Sequence, residues 1–266
     1  MTKRIFITGG ASGLGRAMAE RWAKAGWRVC IGDIHAERGA ETVAAINALG
    51  GEGRFEWVDV TSEASLQAVA DKLMADWGGV DVVANNAGIA TGGAIETHSL
   101  DDWQAVLNIN VLGVARGCKI FTPIFKQQGS GYFINTASLA GLIHPPMMAS
   151  YNASKAATVA LSETLRIELA ADNIGVTVLC PSFFQTNLTE SLRSEDPNIG
   201  LMMNKLFKRA SFTADDVAEA AWRAMEKGEF HVIVDKPSQL IFRLKRFLPF
   251  KRYANLMISR TSKMRR

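Results

Sequence analysis

Short runs rich in Val, Ile and Phe alternate along the chain with longer segments whose apolar residues recur at helical spacing. The short runs do not alternate cleanly between apolar and polar positions, which is the pattern of strands buried on both faces. They predict seven strands: Arg4–Thr8, Arg28–Asp33, Gly53–Val58, Val80–Ala84, Gly131–Thr136, Gly175–Leu179 and Phe230–Val234.

The segments between these strands have the period of amphipathic helices. A strand that is followed by a helical crossover pairs in parallel with a later strand, and the helices cover both faces of the sheet. We therefore predict an α/β fold, a Rossmann-like doubly wound, seven-stranded, mostly parallel sheet with helices on both faces, in a single domain. The predicted helices are Leu14–Ala25, Glu37–Leu49, Glu63–Trp77, Leu100–Gln127, Ser150–Ala171 and Thr213–Lys227.

Length and composition set limits on the class of protein. A chain of 266 residues suits one α/β domain, and no apolar run approaches the ~20 residues of a membrane-spanning helix. The start, MTKRIFITGG, lacks the apolar region of a signal peptide. Cys30, Cys118 and Cys180 lie in apolar runs without metal-ligand spacing, so we expect buried, reduced thiols and no metal site. These features predict a cytoplasmic protein.

The net charge of +4 conceals an asymmetry along the chain. Ten Lys or Arg and no Asp or Glu occur from Lys236 onward, which leaves 20 basic and 26 acidic residues in the rest. The sequence thus divides into a mildly acidic domain, residues 1–236, and a basic extension, residues 237–266.

Within this extension, the segment Gln239–Pro249 has the pattern of a basic amphipathic helix. Such a helix fits packing against the body or a neighbouring subunit, or peripheral contact with an anionic membrane surface. No contact with nucleic acid is expected. The predicted apolar side holds Leu240, Ile241, Leu244, Phe247 and Leu248, continued by Tyr253, Leu256 and Met257, with Arg243, Lys245 and Arg246 mostly on the other side.

The first predicted strand runs into a glycine-rich turn, Thr8-Gly9-Gly10-Ala11-Ser12-Gly13-Leu14-Gly15, which opens the first helix. Glycine lets the backbone turn tightly and approach a pyrophosphate closely, and the free N–H groups at a helix start bind its charge. The place of the turn between a strand and a helix supports a dinucleotide site. We predict cofactor contacts at Gly9, Ser12, Gly13, Leu14 and Gly15.

The second predicted strand ends at Asp33, where a carboxylate can accept hydrogen bonds from the adenosine ribose, with Ile34 beside it. The same charge would repel a 2′-phosphate, and Ser12 offers no positive charge to bind one. Arg38 could bind the phosphate, although it is expected on the following helix. NAD is therefore the predicted cofactor and NADP the alternative. Asp33 also fits the N-cap of the second helix.

Several further motifs make the sequence resemble the classical short-chain dehydrogenase/reductase (SDR) family over about residues 3–235. The glycine turn matches the family pattern TGxxxGxG, Asp59-Val60 matches its acidic pair, and Asn85-Asn86-Ala87-Gly88 matches its NNAG after strand four. The family's catalytic tetrad is matched in order and spacing by Asn110, Ser138, Tyr151 and Lys155.

The resemblance implies a nicotinamide-dependent oxidoreductase, an NAD(P)-dependent alcohol dehydrogenase or carbonyl reductase. It places Asp59 against the adenine amine, Lys155 on the nicotinamide ribose and Thr186 on the carboxamide. Ser182 replaces the glycine that usually follows Pro181 in the family. The cofactor contacts that the resemblance adds are Asp59, Val60, Asn86, Ala87, Gly88, Tyr151, Lys155, Pro181, Phe184 and Thr186.

Tyr151 and Lys155 are four residues apart on a predicted helix, so they share one face. A nearby ammonium favours the phenolate, so Lys155 is expected to lower the pKa of Tyr151 from ~10 and make it a general acid and base. Ser138, just past the fifth strand, is expected to hydrogen-bond the substrate oxygen. By the resemblance, Asn110 lies in an irregular stretch of helix and completes a proton relay through water to Lys155.

The segments expected near this site are rich in Met and Phe, which suits an apolar or bulky secondary alcohol or ketone. A non-catalytic cofactor-binding sensor or scaffold on the same fold is the alternative, and the short chain argues against a sugar-nucleotide epimerase. The resemblance also implies a homodimer or homotetramer built on the helices Leu100–Gln127 and Ser150–Ala171. The predicted substrate contacts are Ser138, Leu139, Met148, Tyr151, Phe183 and Leu188.

Overall fold

The computed structural model describes residues 2–184, 190–194, 196, 199–201, 205, 210 and 212–261. Seven strands form one parallel sheet in the order β3-β2-β1-β4-β5-β6-β7, which confirms the predicted doubly wound α/β fold. The last strand is shorter than predicted. The strands are β1 (Arg4–Thr8), β2 (Arg28–Asp33), β3 (Glu52–Trp57), β4 (Val82–Asn85), β5 (Gly131–Thr136), β6 (Ile174–Leu179) and β7 (His231–Val232).

Helices cover both faces of the sheet. The apolar faces of α1, α2 and α8 pack on one side, where Trp22 is fully buried and meets Trp222 edge-on at 5.1 Å. Those of α3, α5 and α7 pack on the other side. The helices are α1 (Gly13–Lys24), α2 (Ala36–Ala48), α3 (Glu63–Trp77), α4 (Leu100–Leu107), α5 (Val114–Gln128), α6 (Ala140–Ile143), α7 (Ala149–Glu168), α8 (Ala214–Lys227), α9 (Lys236–Phe247) and α10 (Phe250–Thr261).

The order of the strands reverses between the neighbours β1 and β4, which opens a crevice at their carboxyl ends. Hydrogen bonds hold the strand ends around it. Thr8 Oγ1 accepts from the N–H groups of Asn86 at 2.9 Å and of Ala87 at 3.1 Å. The Asn86 amide donates to the carbonyls of Thr8 and Gly9 and accepts from the Thr136 hydroxyl, each at 3.2 Å. One asparagine thus joins the ends of β1, β4 and β5.

The long helix predicted over Leu100–Gln127 is interrupted. A π-helical segment, Asn108–Gly113, separates α4 from α5. Such a segment inserts an extra residue into a helical turn and frees backbone groups. Here the Asn110 carbonyl accepts a hydrogen bond at 3.0 Å from Thr158 on α7, and Asn110 itself is fully buried. The resemblance implied an irregular helix at this position, whereas the apolar period did not.

The extension forms the helices α9 and α10, which lie beside α6, and the predicted apolar side of α9 is divided between the body and solvent. Leu240 and Phe247, both on the predicted apolar side, are 58% and 80% exposed, so this side does not pack on the body as a whole. Phe242 packs against the body instead. Lys245 also turns inward, where it donates to the Leu142 carbonyl, because a lysine can pair with the last carbonyls of a helix.

Two further contacts fix this helical pair. Asp235 begins α9 by accepting hydrogen bonds from the Ser238 N–H and the Ser182 hydroxyl, both at 2.8 Å. On α10 the buried Tyr253 hydroxyl donates to the Ile143 carbonyl at 2.6 Å. Across the described residues, no helix combines the length and apolar character needed to cross a bilayer.

We expect Tyr253→Phe to lower the free energy of unfolding by roughly 1 kcal/mol, since the Ile143 carbonyl would lose a buried partner. Urea denaturation measures this. Phe247→Leu on the exposed side of α9 is the control and should change stability by less than about 0.5 kcal/mol. A Tyr253→Phe protein as stable as the wild type would contradict an anchoring role for the hydroxyl.

Candidate active site

A cavity of about 480 Å³ opens at the carboxyl edge of the sheet, and most of the predicted site residues line it. Gly15, Asp59 and Asn110 are not among its lining residues, and Thr186 and Leu188 lie outside the described residues. The predicted residues that line it are Gly9, Ser12, Gly13, Leu14, Asp33, Ile34, Val60, Asn86, Ala87, Gly88, Ser138, Leu139, Met148, Tyr151, Lys155, Pro181, Phe183 and Phe184.

The glycine turn fits a pyrophosphate. Gly9 has φ +66°, and a Cβ there would lie 2.8 Å from the Cα of Ala87. A Cβ on Gly15 would lie 2.0 Å from the Gly9 carbonyl oxygen, so Gly15 acts through packing below the turn. Ser12, the N-cap of α1, makes no side-chain hydrogen bond to the first turn, which also holds no acidic residue. The N–H groups at this helix start are thus suited to an anion.

Asp33, the last residue of β2, is held in place by backbone hydrogen bonds. Its carboxylate accepts hydrogen bonds from the N–H groups of Ala11 at 3.0 Å and His35 at 3.1 Å, and lone pairs are left for ribose hydroxyls. The N-cap of α2 is His35, so the alternative that Asp33 caps this helix is wrong. Arg38, which could bind a 2′-phosphate, pairs with Glu190 at 2.7 Å, and both line the cavity.

Asp59 turns the chain into α3. Its carboxylate accepts hydrogen bonds from both the N–H and the hydroxyl of Thr61 at 2.8 Å, and its own N–H donates to Ser65 Oγ at 3.1 Å. Of the pair Asp59-Val60, only Val60 lines the cavity. The adenine contact of Asp59 stays a prediction.

Asn110 holds the loop that follows β4. Its Oδ1 accepts from the Ile89 N–H at 2.9 Å, and its Nδ2 donates to the Ile89 carbonyl at 3.0 Å and to Ser154 Oγ at 3.2 Å. Gly88 lies between this amide and Lys155, since a Cβ there would be 3.1 Å from Asn110 Oδ1 and 3.5 Å from Lys155 Nζ. Glycine therefore keeps open the space between the two side chains.

Tyr151 lies buried on α7, one turn before Lys155. Burial raises the pKa of Tyr151 to about 12, and a hydrogen bond with Ser138 opposes this rise. The expectation that Lys155 lowers the pKa of Tyr151 is therefore wrong for the chain alone, because desolvation of the phenolate dominates. At neutral pH the phenol keeps its proton and is a hydrogen-bond donor.

The Lys155 side chain is buried with a carbonyl as its partner. Its ammonium donates to the Thr136 carbonyl at 2.8 Å and lies 5.8 Å from the centre of the Tyr151 ring. Burial lowers the pKa of Lys155 to about 8. Within the described part of the chain no carboxylate forms a salt bridge with it. This ammonium therefore loses its proton at a pH much closer to neutral than a free lysine does.

Three partners of the site were missed by the sequence analysis. The Thr136 carbonyl could have been predicted, because Thr136 ends the strand that leads to Ser138 two residues later. The Ile89 backbone and Glu190 carry no local signal, and Glu190 lies 152 residues from Arg38.

Known proteins resemble this chain along most of its length. The short chain dehydrogenase family model matches residues 3–197. A relative named "3beta-hydroxysteroid dehydrogenase 1", from Eggerthella lenta, is 33% identical over 86% of this chain and 88% of its own. The "Probable oxidoreductase EphD" of Mycobacterium tuberculosis is 30% identical over 92% of this chain, which spans only 43% of that longer relative.

A solved structure is similar throughout. The short chain dehydrogenase/reductase from Burkholderia phymatum, in complex with NAD, has a TM-score of 0.87 and 33% identity. The match covers 92% of this chain and 93% of that one.

The burial of Lys155 predicts a pH dependence of stability. Its pKa is about 8 when folded, against an ordinary 10.5. Between these values the unfolded chain binds a proton that the folded chain has lost, so this contribution to stability rises with pH and is lost as pH falls through 8.

We therefore compare the free energy of unfolding of the wild type with that of Lys155→Met at pH 7 and at pH 10. The difference, wild type minus variant, should increase by about 2–3 kcal/mol from pH 7 to pH 10, at 1.36 kcal/mol per pKa unit. Denaturant titrations at both pH values measure the difference. Lys24→Met, at the exposed end of α1, is the control and should show no such change. A constant difference between wild type and Lys155→Met would contradict the lowered pKa.

Proposed function

The chain belongs to the short chain dehydrogenase family of oxidoreductases, and we propose that it transfers a hydride between a nicotinamide cofactor and an apolar or bulky secondary alcohol or ketone. One observation carries this proposal. Ser138, Tyr151 and Lys155 line a single cavity together with the glycine turn and with an apolar wall. The activity would be that of an NAD(P)-dependent alcohol dehydrogenase or carbonyl reductase.

The cofactor we propose is NAD, with NADP as the alternative. The start of α1 would hold the pyrophosphate, Asp33 the adenosine ribose and Lys155 the nicotinamide ribose. The pairing of Arg38 with Glu190 supports NAD, because a guanidinium that already has a carboxylate partner attracts a 2′-phosphate less. The solved relative that holds NAD supports the same choice.

When bound, the nicotinamide supplies the hydride acceptor or donor, and its oxidised ring adds a positive charge. In oxidation, Tyr151 in its phenolate form would accept the proton of the substrate hydroxyl as the alcohol gives up its hydride and becomes a ketone. In reduction, Tyr151 returns that proton to the oxygen. Ser138 would hold the same oxygen. A positive charge near Tyr151 would lower the pKa that burial has raised, which brings the phenol nearer to the working pH.

The apolar end of the cavity supports the proposed substrate class. It is formed by Leu139, Ile143, Pro145, Met148 and Phe183. Of the charged lining residues, Asp33 lies at the end of β2, Arg38 on α2 pairs with Glu190, and Lys155 lies beside Tyr151. An apolar wall with few polar groups favours an apolar ligand. The relative named as a hydroxysteroid dehydrogenase is consistent with such a substrate.

A cofactor-binding sensor is the second candidate function. The specific feature against it is the lowered pKa of buried Lys155, which destabilises the fold at neutral pH and which a sensor does not need.

We further propose a homodimer or homotetramer in the cytoplasm, with a catalytic domain over residues 1–236 and an extension over 237–266. The three buried free cysteines support a reducing compartment. Anionic membrane is a further proposed partner of the extension.

We expect Tyr151→Phe to lower kcat at least 100-fold, because the substrate oxygen loses its proton donor and acceptor. Affinity for NAD, measured by quenching of intrinsic fluorescence, should stay within about threefold of the wild type. Tyr132→Phe is the control, since this hydroxyl bonds Thr177 within the sheet and not the site. Turnover by Tyr151→Phe within a few-fold of the wild type would rule out the proposed role.

Cofactor choice gives a second test. We expect a higher kcat/KM with NAD than with NADP, and Glu190→Gln should raise the value for NADP relative to NAD by a few-fold only, since a solvent-exposed ion pair holds Arg38 weakly. Glu52→Gln, whose partner Arg28 lies at the far end of β2, should leave the ratio unchanged. A clear preference of the wild type for NADP would show that another group overrides Asp33.

A further inference from the structure

The extension presents one face of α9 and α10 to solvent. Along α9 the exposed residues recur every three or four positions, as Lys236, Leu240, Arg243 and Phe247. At the corner between the helices, Phe247 and Phe250 are 80% and 77% exposed. We call this surface the tail face; it consists of Lys236, Leu240, Arg243, Arg246, Phe247, Phe250, Lys251, Arg252, Ile258 and Arg260, all exposed.

The charge of the tail face has one sign. It carries six Lys or Arg, and no Asp or Glu occurs from Lys236 to Thr261. Exposed aromatic and aliphatic side chains stand between these cations. Basic residues bind an anionic surface, and apolar side chains between them insert at the boundary of headgroups and acyl chains. Long basic side chains reach up to the headgroups while their stems stay in contact with apolar surface.

The opposite side of the same helices holds the wall of the cavity. Tyr253 donates a hydrogen bond to the Ile143 carbonyl. Lys245 donates to the Leu142 carbonyl and lies 2.8 Å from His144 Nδ1. Asp235 accepts from the Ser182 hydroxyl at 2.8 Å. Ile143 and Ser182 both line the cavity. The tail face and the apolar end of the cavity are thus separated by one layer of helices.

We propose that the tail face docks on an anionic lipid bilayer and thereby brings the apolar end of the cavity to the membrane, from which its substrate is drawn. Charge complementarity favours a bilayer as the occupant. A second copy of the chain would have to supply an acidic patch with sites for Phe247 and Phe250, whereas an anionic bilayer supplies negative headgroups and an apolar layer everywhere. The source of substrate rests on the proposed oxidoreductase function; the docking does not.

The docking is tested by sedimentation of the full chain with phosphatidylcholine vesicles, with and without phosphatidylserine. We expect binding to the anionic vesicles at low salt, a loss of binding at high salt because charges are screened, and little binding to neutral vesicles. Phe247→Glu with Phe250→Glu should lower the apparent partition at least about tenfold. Trp57→Glu, 57% exposed on β3 at the other edge of the sheet, is the control and should bind as the wild type does.

Three outcomes would overturn the docking. The full chain could stay in the supernatant at low salt, or both variants could lose binding equally. In the third, the Phe247→Glu, Phe250→Glu protein would bind vesicles as the wild type does while light scattering shows that its assembly has come apart. The tail face would then be an interface between copies of the chain.

The source of the substrate is tested by kinetics with two ketones, one dissolved in anionic vesicles and one soluble in water. The Phe247→Glu, Phe250→Glu variant should raise KM for the bilayer ketone at least about fivefold and leave kcat/KM for the soluble ketone within about twofold. An equal rise for both ketones would overturn the delivery of substrate from the membrane. If the wild type turns over neither ketone, the proposed function fails, while the sedimentation result stands on its own.

Discussion

A lysine ammonium buried without a carboxylate partner among the described residues is the constraint on which the site depends. Burying a charge is costly unless a polar group faces it, and here the Thr136 carbonyl does so at 2.8 Å. That carbonyl is available because β5 ends at Thr136. A Cβ at Gly88 would crowd the Asn110 amide and occupy the space beside Lys155, and the π segment brings Asn110 to the same space. The fold thus places a titratable group where its proton is held weakly.

Neutral hydrogen bonds hold the frame around this charge. The Asn86 side chain joins three strand ends by hydrogen bonds, and Thr8 Oγ1 accepts hydrogen bonds from two backbone N–H groups. Asp33 at the end of β2 and Arg38 on α2, which pairs with Glu190, charge one part of the cavity, and Lys155 lies beside Tyr151. Leu139, Ile143, Met148 and Phe183 are apolar lining residues that follow β5 and β6. A dinucleotide and an apolar substrate would therefore meet where Tyr151 and Ser138 stand. This division of the cavity fits a redox enzyme better than a sensor that binds the cofactor alone.

Much of the fold could be predicted because buried parallel strands read as continuous apolar runs, and β1, β2 and β5 have the predicted bounds. The edge strand β7 pairs over only two residues, which no local pattern reveals. The spacing of Tyr151 and Lys155 located the pair, but their pKa values depend on how deeply α7 is buried. The inward turn of Lys245 depends on carbonyls 103 residues away, so the faces of α9 could not be assigned from its own period.

The most direct measurement is a panel of secondary alcohols and ketones, followed at the nicotinamide absorbance with both cofactors across neutral and alkaline pH. Hydride transfer requires at least one apolar or bulky member of the panel to change that absorbance in the presence of NAD. Saturable binding of NAD with no absorbance change for any alcohol or ketone would contradict it, and would favour a cofactor-loaded sensor built on the same fold.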